Sequence, residues 1–537
     1  MASRSSSEKI KTKIKLMTLF ENIVKAQDNL NGVVIKTPLQ FSINLSEKYQ
    51  ASVYLKREDL QQVRSYKIRG AYNKISHLDE VKKEKGIVCA SAGNHAQGVA
   101  YACHKMKVKG VIFMPTTTPA QILQDVALLQ RFQAVDSFLI EHQTLWRPRP
   151  FVHYPALPWE AEHPQLAAWL RAQSLEHAEA AHNQPHLLQA PAPFLQLAAQ
   201  AHDLSQIGEL PQSPATVLPA RFSSDVPGRK WQQIDAFARS LSFTHTPQHW
   251  LDWCAGKGHL GRMLAHTGGS LTCLEYNPQL VSSGQQLSHK LGIAAQHIEQ
   301  DVLAADAAKQ LQAQHTPVAL HACGELHTRL LQLASQAGCR HVAVAPCCYN
   351  RISTASYQPL SASAQASSLQ LSIDDLGLPL SETVTAGARV RRQRDQSMAW
   401  RLAFDLLQRQ LRGIDEYLPT PSLPPAWLDK SFANYCQDLA ALKQLPTPAK
   451  QNWQQLEQQG WQRLAEVRNL ELLRGLFRRP LELWLLLDRA LYLQEHGYTV
   501  RLGTFCSRQQ SPRNLLLLAE RQQNLPTASV DNSVDRI

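Results

Sequence analysis

One group of residues in this 537-residue chain has the types and spacing needed to hold a ligand. It is the run DWCAGKGHL, in which Asp252, Cys254, Gly256 and Gly258 follow a short apolar segment. Small residues in such a turn let the backbone approach a ligand closely, and a helix starting after it offers free N–H groups. The run therefore predicts a cradle for a nucleotide-like ligand.

Two acidic residues further along the chain extend this cradle. Glu275 lies 19 residues after Gly256, at the end of a predicted strand, and Asp301 follows after what we expect to be a helix. An acid about 20 residues after a glycine turn is placed to accept hydrogen bonds from both hydroxyls of a ribose. These positions favour a ligand that contains a nucleoside.

A second group offers a base, thiols and an aromatic ring. His321 and Cys323 lie in HACGE, and Cys347, Cys348 and Tyr349 lie in PCCYN. An imidazole titrates near neutral pH, so the histidine is a candidate general base, with packing at a strand end as the alternative. The thiols face a substrate, serve structure or act as a nucleophile, and the tyrosine could stack on a planar acceptor. Adjacent cysteines lack the C-x2-C spacing of zinc sites, so no metal is expected.

The elements that must position these residues follow an alternation of strand, turn and helix. The expected strands are Trp250–Trp253, Ser270–Leu274, Pro317–Leu320 and His341–Ala345, and the residues named above lie at or just after their ends. Open α/β sheets bind ligands at the carboxyl ends of their strands. The predicted fold class is therefore α/β, with a Rossmann-like sheet that carries helical insertions.

These motifs resemble those of class I S-adenosylmethionine-dependent methyltransferases, whose first motif is [DE]-x-G-x-G-x-G. Here Cys254 replaces the first glycine. Together, DxCAGKGHL, HACG and PCCY are similar to a methyltransferase-domain group related to tRNA 2'-O-methyltransferases. The segment Leu485 to Cys506, with SPRN at Ser511 to Asn514, resembles the final helix and antiparallel hairpin of that group.

The resemblance implies S-adenosylmethionine as cofactor and a role for each position. Asp252 and Gly256 would lie near its methionine part, with Cys254 and Gly258 in the same loop. Glu275 would bind the ribose and Asp301 the adenine edge. The resemblance further implies that the sulfonium lies between His321 and Cys323, that Pro346 to Tyr349 face the acceptor, and that RNA is the first acceptor to consider.

The beginning of the chain carries different motifs. SYKIRG contains Lys67 and SAGNHAQG contains Asn94. These resemble the N-terminal third of threonine dehydratase, a fold-type II pyridoxal-phosphate enzyme, which implies that Lys67 forms the Schiff base and Asn94 contacts the cofactor ring hydroxyl. The likeness covers about residues 18 to 119, and no tetraglycine phosphate loop follows. We therefore expect an inactive, incomplete fragment with exposed apolar faces, an ammonia-lyase activity being the alternative.

A change of composition near residue 119 separates the two parts. Residues 1–118 carry 20 lysines and arginines against 9 acidic residues, and the remaining 419 carry 36 against 35. The overall charge of +12 therefore gives no warrant for nucleic acid binding by the larger part. We interpret the chain as a fusion and predict these segments: 1–119 fragment, 120–227 helical region with Pro-rich linker, 228–355 methyltransferase core, 356–470 helical insertion, 471–522 final helix and hairpin, 523–537 disordered tail.

Several classes of protein are excluded or made less favoured by the sequence. No apolar run reaches the roughly 18 residues of a membrane span, and the N-terminus lacks an apolar signal core, so a cytoplasmic protein with free thiols is expected. Seven arginines between Arg389 and Arg412 fit a solvated helix, with RNA phosphate contact as the alternative. A non-catalytic RNA-binding scaffold is the remaining functional alternative.

Overall fold

The computed structural model describes residues 21–91, 93–113, 120–215, 218–224, 226–266, 268–381, 388–448 and 451–521. The chain divides into two compact units, Met1–Pro119 and Ala120–Ile537, and this division falls at the change of composition. Residues 21–29 are helical. The tail predicted to be disordered, 523–537, lies outside the described residues. No helix in the described part of the chain is both long and apolar enough to cross a membrane.

The N-terminal unit contains two small sheets. Strands β1 (Leu39–Phe41) and β2 (Tyr54–Lys56) pair antiparallel, and β3 (Ile87–Ala90) and β4 (Gly110–Phe113) pair in parallel. Its helices are Ile43–Tyr49, Lys67–Ser76, Glu80–Glu84 and Asn94–Met106, with a 3-10 turn at Glu58–Leu60.

Two helices of this unit form its small core. A Cβ added at Gly98 would lie 2.9 Å from the main chain of Lys67, so the glycine is what allows the helices Lys67–Ser76 and Asn94–Met106 to touch. The β3–β4 sheet is poorly covered, because Val88 and Phe113 are 69% and 63% exposed. Exposed apolar side chains on a sheet are the expected consequence of a missing partner layer.

The C-terminal unit is built on an eight-stranded sheet. Its order is β5-β11-β12-β10-β9-β6-β7-β8. The parallel strands β6 to β10 occupy one side, β12 pairs antiparallel with both β10 and β11, and β5 pairs antiparallel with β11. The strands are β5 Leu123–Gln124, β6 His249–Trp253, β7 Ser270–Glu275, β8 Ala295–Glu299, β9 His315–Cys323, β10 His341–Cys347, β11 Tyr498–Thr504 and β12 Leu515–Arg521.

This topology confirms the predicted α/β class and provides a crevice for a ligand. From β6 the chain moves outward through β7 to β8 and then returns to β9, on the opposite side of β6. Ligands of open α/β sheets bind at such a reversal, outside the carboxyl ends of the strands. Asp301 follows the helix Pro278–Leu291 and then β8, and it lies two residues beyond the end of that strand.

Helices cover the sheet and extend beyond it. They are Val126–Glu141, Gln143–Trp146, Pro164–Arg171, Leu175–Ala181, Phe194–Ser205, Gly228–Ser240, His259–Ala265, Pro278–Leu291, Glu325–Gln336, Ala362–Gln365, Ile373–Leu376, Ala388–Arg412, Phe432–Leu442, Trp453–Gly475 and Arg478–Glu495. Short 3-10 segments occur at Pro158–Ala161, Pro185–Leu187, Ala220–Phe222, Ala305–Gln310, Leu378–Ser381 and Pro425–Asp429.

The helix Arg478–Glu495 lies at the centre of the largest hydrophobic core. Every residue from Arg478 to Leu493 is buried, and the helix packs against Val126–Glu141 and β11. The segment 120–227, which we expected to be a helical region with a linker, contributes strand β5 to the sheet. It also contributes the helix Val126–Glu141 to the hydrophobic core. Apolar burial of this extent is the main source of folding free energy.

Two charged residues of this central helix organise the chain that follows β10. The Asp488 carboxylate accepts hydrogen bonds from the hydroxyl of Tyr357, from the N–H groups of Leu360 and Ser361, and from the hydroxyl of Ser361. Arg489 donates to Nε2 of His327 at 2.8 Å and to the Tyr357 hydroxyl at 3.0 Å. Each buried charge is therefore satisfied by several partners, as burial requires.

Candidate functional site

The loop after β6 has the backbone shape that its glycines predict. Cys254, Gly256 and Gly258 all have positive φ, of 59°, 57° and 73°. A Cβ added at Gly256 would meet no atom within 4 Å, whereas one at Gly258 would lie 2.7 Å from Cε1 of His297. The first glycine thus faces open space that a ligand could use, and the second allows the loop to pack on its neighbours.

Asp252 supports this loop from below. It is 3% exposed, and its Oδ2 accepts a 2.8 Å hydrogen bond from the N–H of Gly261 in the helix His259–Ala265. Burial raises the pKa of Asp252 to about 7, a shift that this hydrogen bond and the charge of Arg262 oppose. This hydrogen bond connects the end of β6 to the helix after the loop, so Asp252 helps to fix the conformation of the loop.

Glu275 is joined to the same loop. Its Oε2 accepts a 2.9 Å hydrogen bond from the N–H of Gly256, and its Oε1 accepts one of 3.0 Å from the N–H of Asn277. A carboxylate oxygen has two lone pairs, so both oxygens retain capacity for ligand hydroxyls. Asp301 is exposed after β8, and its Oδ1 accepts from the N–H of Leu303 at 2.9 Å.

The predicted positions converge around Cys254. Burial, together with the nearby charges of Glu275, Asp252, Cys323 and Asp301, raises the pKa of the Cys254 thiol to about 12. Strands β9, β6, β7 and β8 are neighbours in the parallel part of the sheet, so their carboxyl ends lie side by side along one edge.

His321 lies at this edge with a partner that the sequence did not reveal. Its Nε2 is 2.7 Å from Oε1 of Gln233, in the helix Gly228–Ser240, so Nε2 carries the proton of a neutral imidazole. Burial lowers the pKa of His321, and the positive charges of Lys230 and Arg513 add to this effect. A neutral ring with Nε2 protonated leaves Nδ1 as the nitrogen able to accept a proton.

The three predicted cysteines come together beside His321. The Sγ atoms of Cys323, Cys347 and Cys348 lie within 4.8 Å of one another, and those of Cys323 and Cys347 are 3.5 Å apart. Hydrogen bonds from the two neighbouring thiols lower the pKa of Cys323 to about 6, with help from the charge of Arg351. All ten cysteines of the chain are free.

Tyr349 requires a correction. The ring is 1% exposed, with the Arg489 guanidinium carbon 5.3 Å from its centroid and the His327 ring in edge contact. Burial raises the pKa of its hydroxyl well above the usual value. A ring that is covered by protein in this way cannot stack on an acceptor, so Tyr349 does not contact the acceptor.

The residues at the ligand edge of the C-terminal unit suit S-adenosylmethionine, and two residues of the N-terminal unit are the candidates for pyridoxal phosphate. Open space at Gly256, a carboxylate at Glu275 and a second at Asp301 suit the polar groups of an adenosyl ligand. In the other unit, Lys67 places its Nζ 4.8 Å from the centroid of the Tyr66 ring, and Asn94 is exposed. These are the two residues of that unit that the resemblance assigns to pyridoxal phosphate.

Comparison with family models gives two separate matches. Residues 229–355 match a model described as methyltransferase domain, and residues 30–136 match one described as pyridoxal-phosphate dependent enzyme. A magnesium protoporphyrin IX methyltransferase from Synechocystis PCC 6803, solved with bound SAH, aligns at 11% identity and a TM-score of 0.24, covering 65% of this chain and 100% of that one. The processed threonine deaminase isoform 2 of Solanum lycopersicum aligns at 20% identity and a TM-score of 0.18, covering 52% and 60%.

Two curated relatives each match about a fifth of the chain. The biosynthetic L-threonine dehydratase IlvA of Bacillus subtilis (strain 168) is 56% identical over 108 residues, which are 20% of this chain and 26% of that protein. The Staphylococcus aureus (strain NCTC 8325 / PS 47) protein of the same name is 55% identical over 113 residues, 21% and 27% of the two chains. The chain thus spans about a quarter of the length of the curated relatives it matches.

Proposed function

We propose that this protein is an S-adenosylmethionine-dependent methyltransferase, because residues 229–355 match a family model described as methyltransferase domain. The observation that carries the proposal is the hydrogen bond from the N–H of Gly256 to the carboxylate of Glu275 at the ligand edge of the sheet. It combines a backbone that leaves room for a ligand with a carboxylate that can accept from ribose hydroxyls. Asp301, after the adjacent strand, is proposed to contact the adenine edge.

Methyl transfer does not require the protein to form a covalent bond with the substrate. The bound cofactor supplies a methyl group on a positively charged sulfur, and transfer is an in-line displacement in which alignment contributes much of the acceleration. The loop from Cys254 to Gly258 and the carboxylate of Glu275 are proposed to hold the cofactor. His321, through Nδ1, would take a proton from an acceptor that must lose one, and Gln233 would keep its ring oriented.

RNA is the acceptor class that we propose to test first. The helix Ala388–Arg412 exposes Arg389, Arg391 and Arg392 near its start, where they could contact phosphates. Further along the same helix, Arg401 donates to Thr420, and Arg409 pairs with Asp405 and Asp415. The arginines in the first turns of the helix are therefore the ones whose exposure suits contact with phosphates.

Binding of labelled S-adenosylmethionine to the full chain tests the cofactor assignment. Glu275→Ala should abolish binding, while Glu141→Ala, which removes an exposed carboxylate from the helix Val126–Glu141, should leave it unchanged. Undiminished binding by Glu275→Ala would refute the site.

The acceptor is found by transfer of a tritiated methyl group into fractionated cell extract. Label that is lost on nuclease treatment indicates RNA, and label that is lost on protease treatment indicates protein. A non-catalytic scaffold would instead bind RNA in a salt-sensitive way without any methyl incorporation.

A further inference from the structure

We infer that Cys323, Cys347 and Cys348 form a three-thiolate site for a zinc ion with one open coordination position. Their Sγ atoms lie within 4.8 Å of one another, at the carboxyl ends of two neighbouring parallel strands. Thiolate sulfur is a preferred ligand of Zn²⁺ in proteins. The inference concerns the thiols alone and does not depend on methyl transfer.

The distances suit a metal better than a disulfide. Tetrahedral coordination with Zn–S bonds of about 2.3 Å separates sulfur atoms by about 3.8 Å. The Sγ atoms of Cys323 and Cys347 are 3.5 Å apart, and all three pairs stay within 4.8 Å. Small side-chain rotations would bring the three sulfurs to this spacing, whereas a disulfide joins only two of them at about 2 Å.

Backbone geometry explains how two adjacent cysteines serve one site. Successive side chains of a strand point to opposite faces, which is why neighbouring cysteines are not expected to share a ligand. Cys348, just beyond the end of β10, has a φ of 48°, in the left-handed region that residues other than glycine rarely adopt. This turn breaks the alternation and returns the Cys348 thiol to the side of Cys347. Two adjacent cysteines can therefore contribute to one site here, although their spacing is not the C-x2-C of common zinc sites.

The supports of the site are rigid. Cys323 and Cys347 are opposite partners across β9 and β10, after a register shift between Ala345 and Cys347, and every residue of β10 is buried. The N–H of Gly324 donates to the carbonyl of Cys347 at 3.1 Å, which ties the two strand ends together. Ligands fixed by buried strands need little reorganisation on metal binding.

One coordination position would remain for a ligand from outside the chain. Cys323 and Cys348 are partly exposed, and within the part of the chain that the structure describes no His, Asp, Glu or further Cys joins the three thiols. Three protein ligands with a fourth position left to water or another small donor are typical of reactive zinc sites, while structural sites have four. We therefore expect water as the fourth ligand of the resting protein.

Metal analysis of the full chain, purified under reducing conditions, tests the inference. We expect about one zinc per chain, lost in Cys323→Ser and in Cys348→Ser, both partly exposed positions where serine should be tolerated. Cys506→Ser, a partly exposed cysteine outside the cluster, should retain the metal. Circular dichroism of each variant verifies folding, and Co²⁺ in place of zinc should give intense sulfur-to-cobalt charge-transfer absorption in the unmutated protein.

A second cluster of side chains is the competing candidate for a zinc site. His245, His341 and Glu520 also lie within 4.8 Å of one another, although the histidines already contact the Glu520 carboxylate. His245→Ala should leave the zinc content unchanged. The inference is overturned if zinc is lost in His245→Ala but kept in the cysteine variants, if cobalt shows no sulfur charge transfer, or if the protein binds no zinc.

Discussion

The N–H of Gly256 donates a 2.9 Å hydrogen bond to Oε2 of Glu275, so the glycine loop after β6 and the acid at the end of β7 form a single unit. The other carboxylate oxygen accepts the N–H of Asn277. Two backbone donors therefore hold this carboxylate in a fixed orientation before any ligand binds. Such preorganisation reduces the entropy lost on binding.

Glu275→Gln should weaken S-adenosylmethionine binding about 10- to 100-fold. The amide has one acceptor oxygen and an NH₂ donor, so one bond to the loop or to the ligand is lost, and hydrogen bonds to charged groups contribute about 1.5–3 kcal/mol. Isothermal titration calorimetry measures the change. An affinity equal to that of the unmutated protein would show that the carboxylate contacts no ligand.

Gly256→Ala and Gly292→Ala form a matched pair. Both glycines have positive φ, and at neither position would a Cβ meet another atom within 4 Å, so each substitution should cost about 1–2 kcal/mol of stability. Gly292 ends the helix Pro278–Leu291, away from the proposed ligand space. Only Gly256→Ala should lose cofactor affinity, and equal losses in the two variants would contradict the proposed cradle.

Asp252 should make the protein less stable as the pH rises. Burial raises its pKa from 3.8 to about 7, so the unfolded chain releases this proton at lower pH than the folded protein does. Its contribution to stability is complete below about pH 4, is lost as the pH rises to about 7, and then stays constant.

Asp252→Asn should remove this dependence, because an amide oxygen can still accept from Gly261. From about pH 5 to about pH 8, urea unfolding should show the unmutated protein losing about 2–3 kcal/mol relative to the variant. Other titrating groups cancel in this difference. Parallel stability curves for the two proteins would contradict the buried, protonated carboxyl.

Asp488→Ala should destabilise the C-terminal unit by about 3–5 kcal/mol, because it removes the acceptor of several buried donors. Asp374→Ala is the comparison, since its side chain is 62% exposed and pairs with Arg149 at the surface. That pair should contribute about 0–1 kcal/mol. Chemical denaturation of both variants measures the contrast, and similar losses would argue against a structural role for the buried network.

The N-terminal unit should form no stable adduct with pyridoxal phosphate at Lys67. Titration with the cofactor should produce no visible aldimine absorbance that Lys67→Ala removes, because the phosphate cradle is missing from the sequence. An absorbance band that depends on Lys67 would restore the ammonia-lyase alternative.

The placement of the ligand edge could be predicted from the sequence because it depends on local information. A strand followed by small residues and a helix specifies a turn, and parallel strands bring their ends to one edge. Asp252, Glu275, His321 and Cys323 could therefore be assigned to that edge before their contacts were known. The bounds of the strand before Asp301 could not be read from the sequence, since a short AQHIE segment has no clear alternation.

What the tertiary structure decided is which side chains meet and which are covered. Gln233 reaches His321 from a helix 88 residues away in sequence, and Tyr349 is buried by packing against the central helix. The left-handed turn at Cys348 brings a third thiol to the pair across β9 and β10. Residue types and their spacing determined the sheet and its ligand edge, because these follow from local backbone preferences. The contacts at that edge were decided only by long-range packing, because they depend on how distant helices and strands fit together.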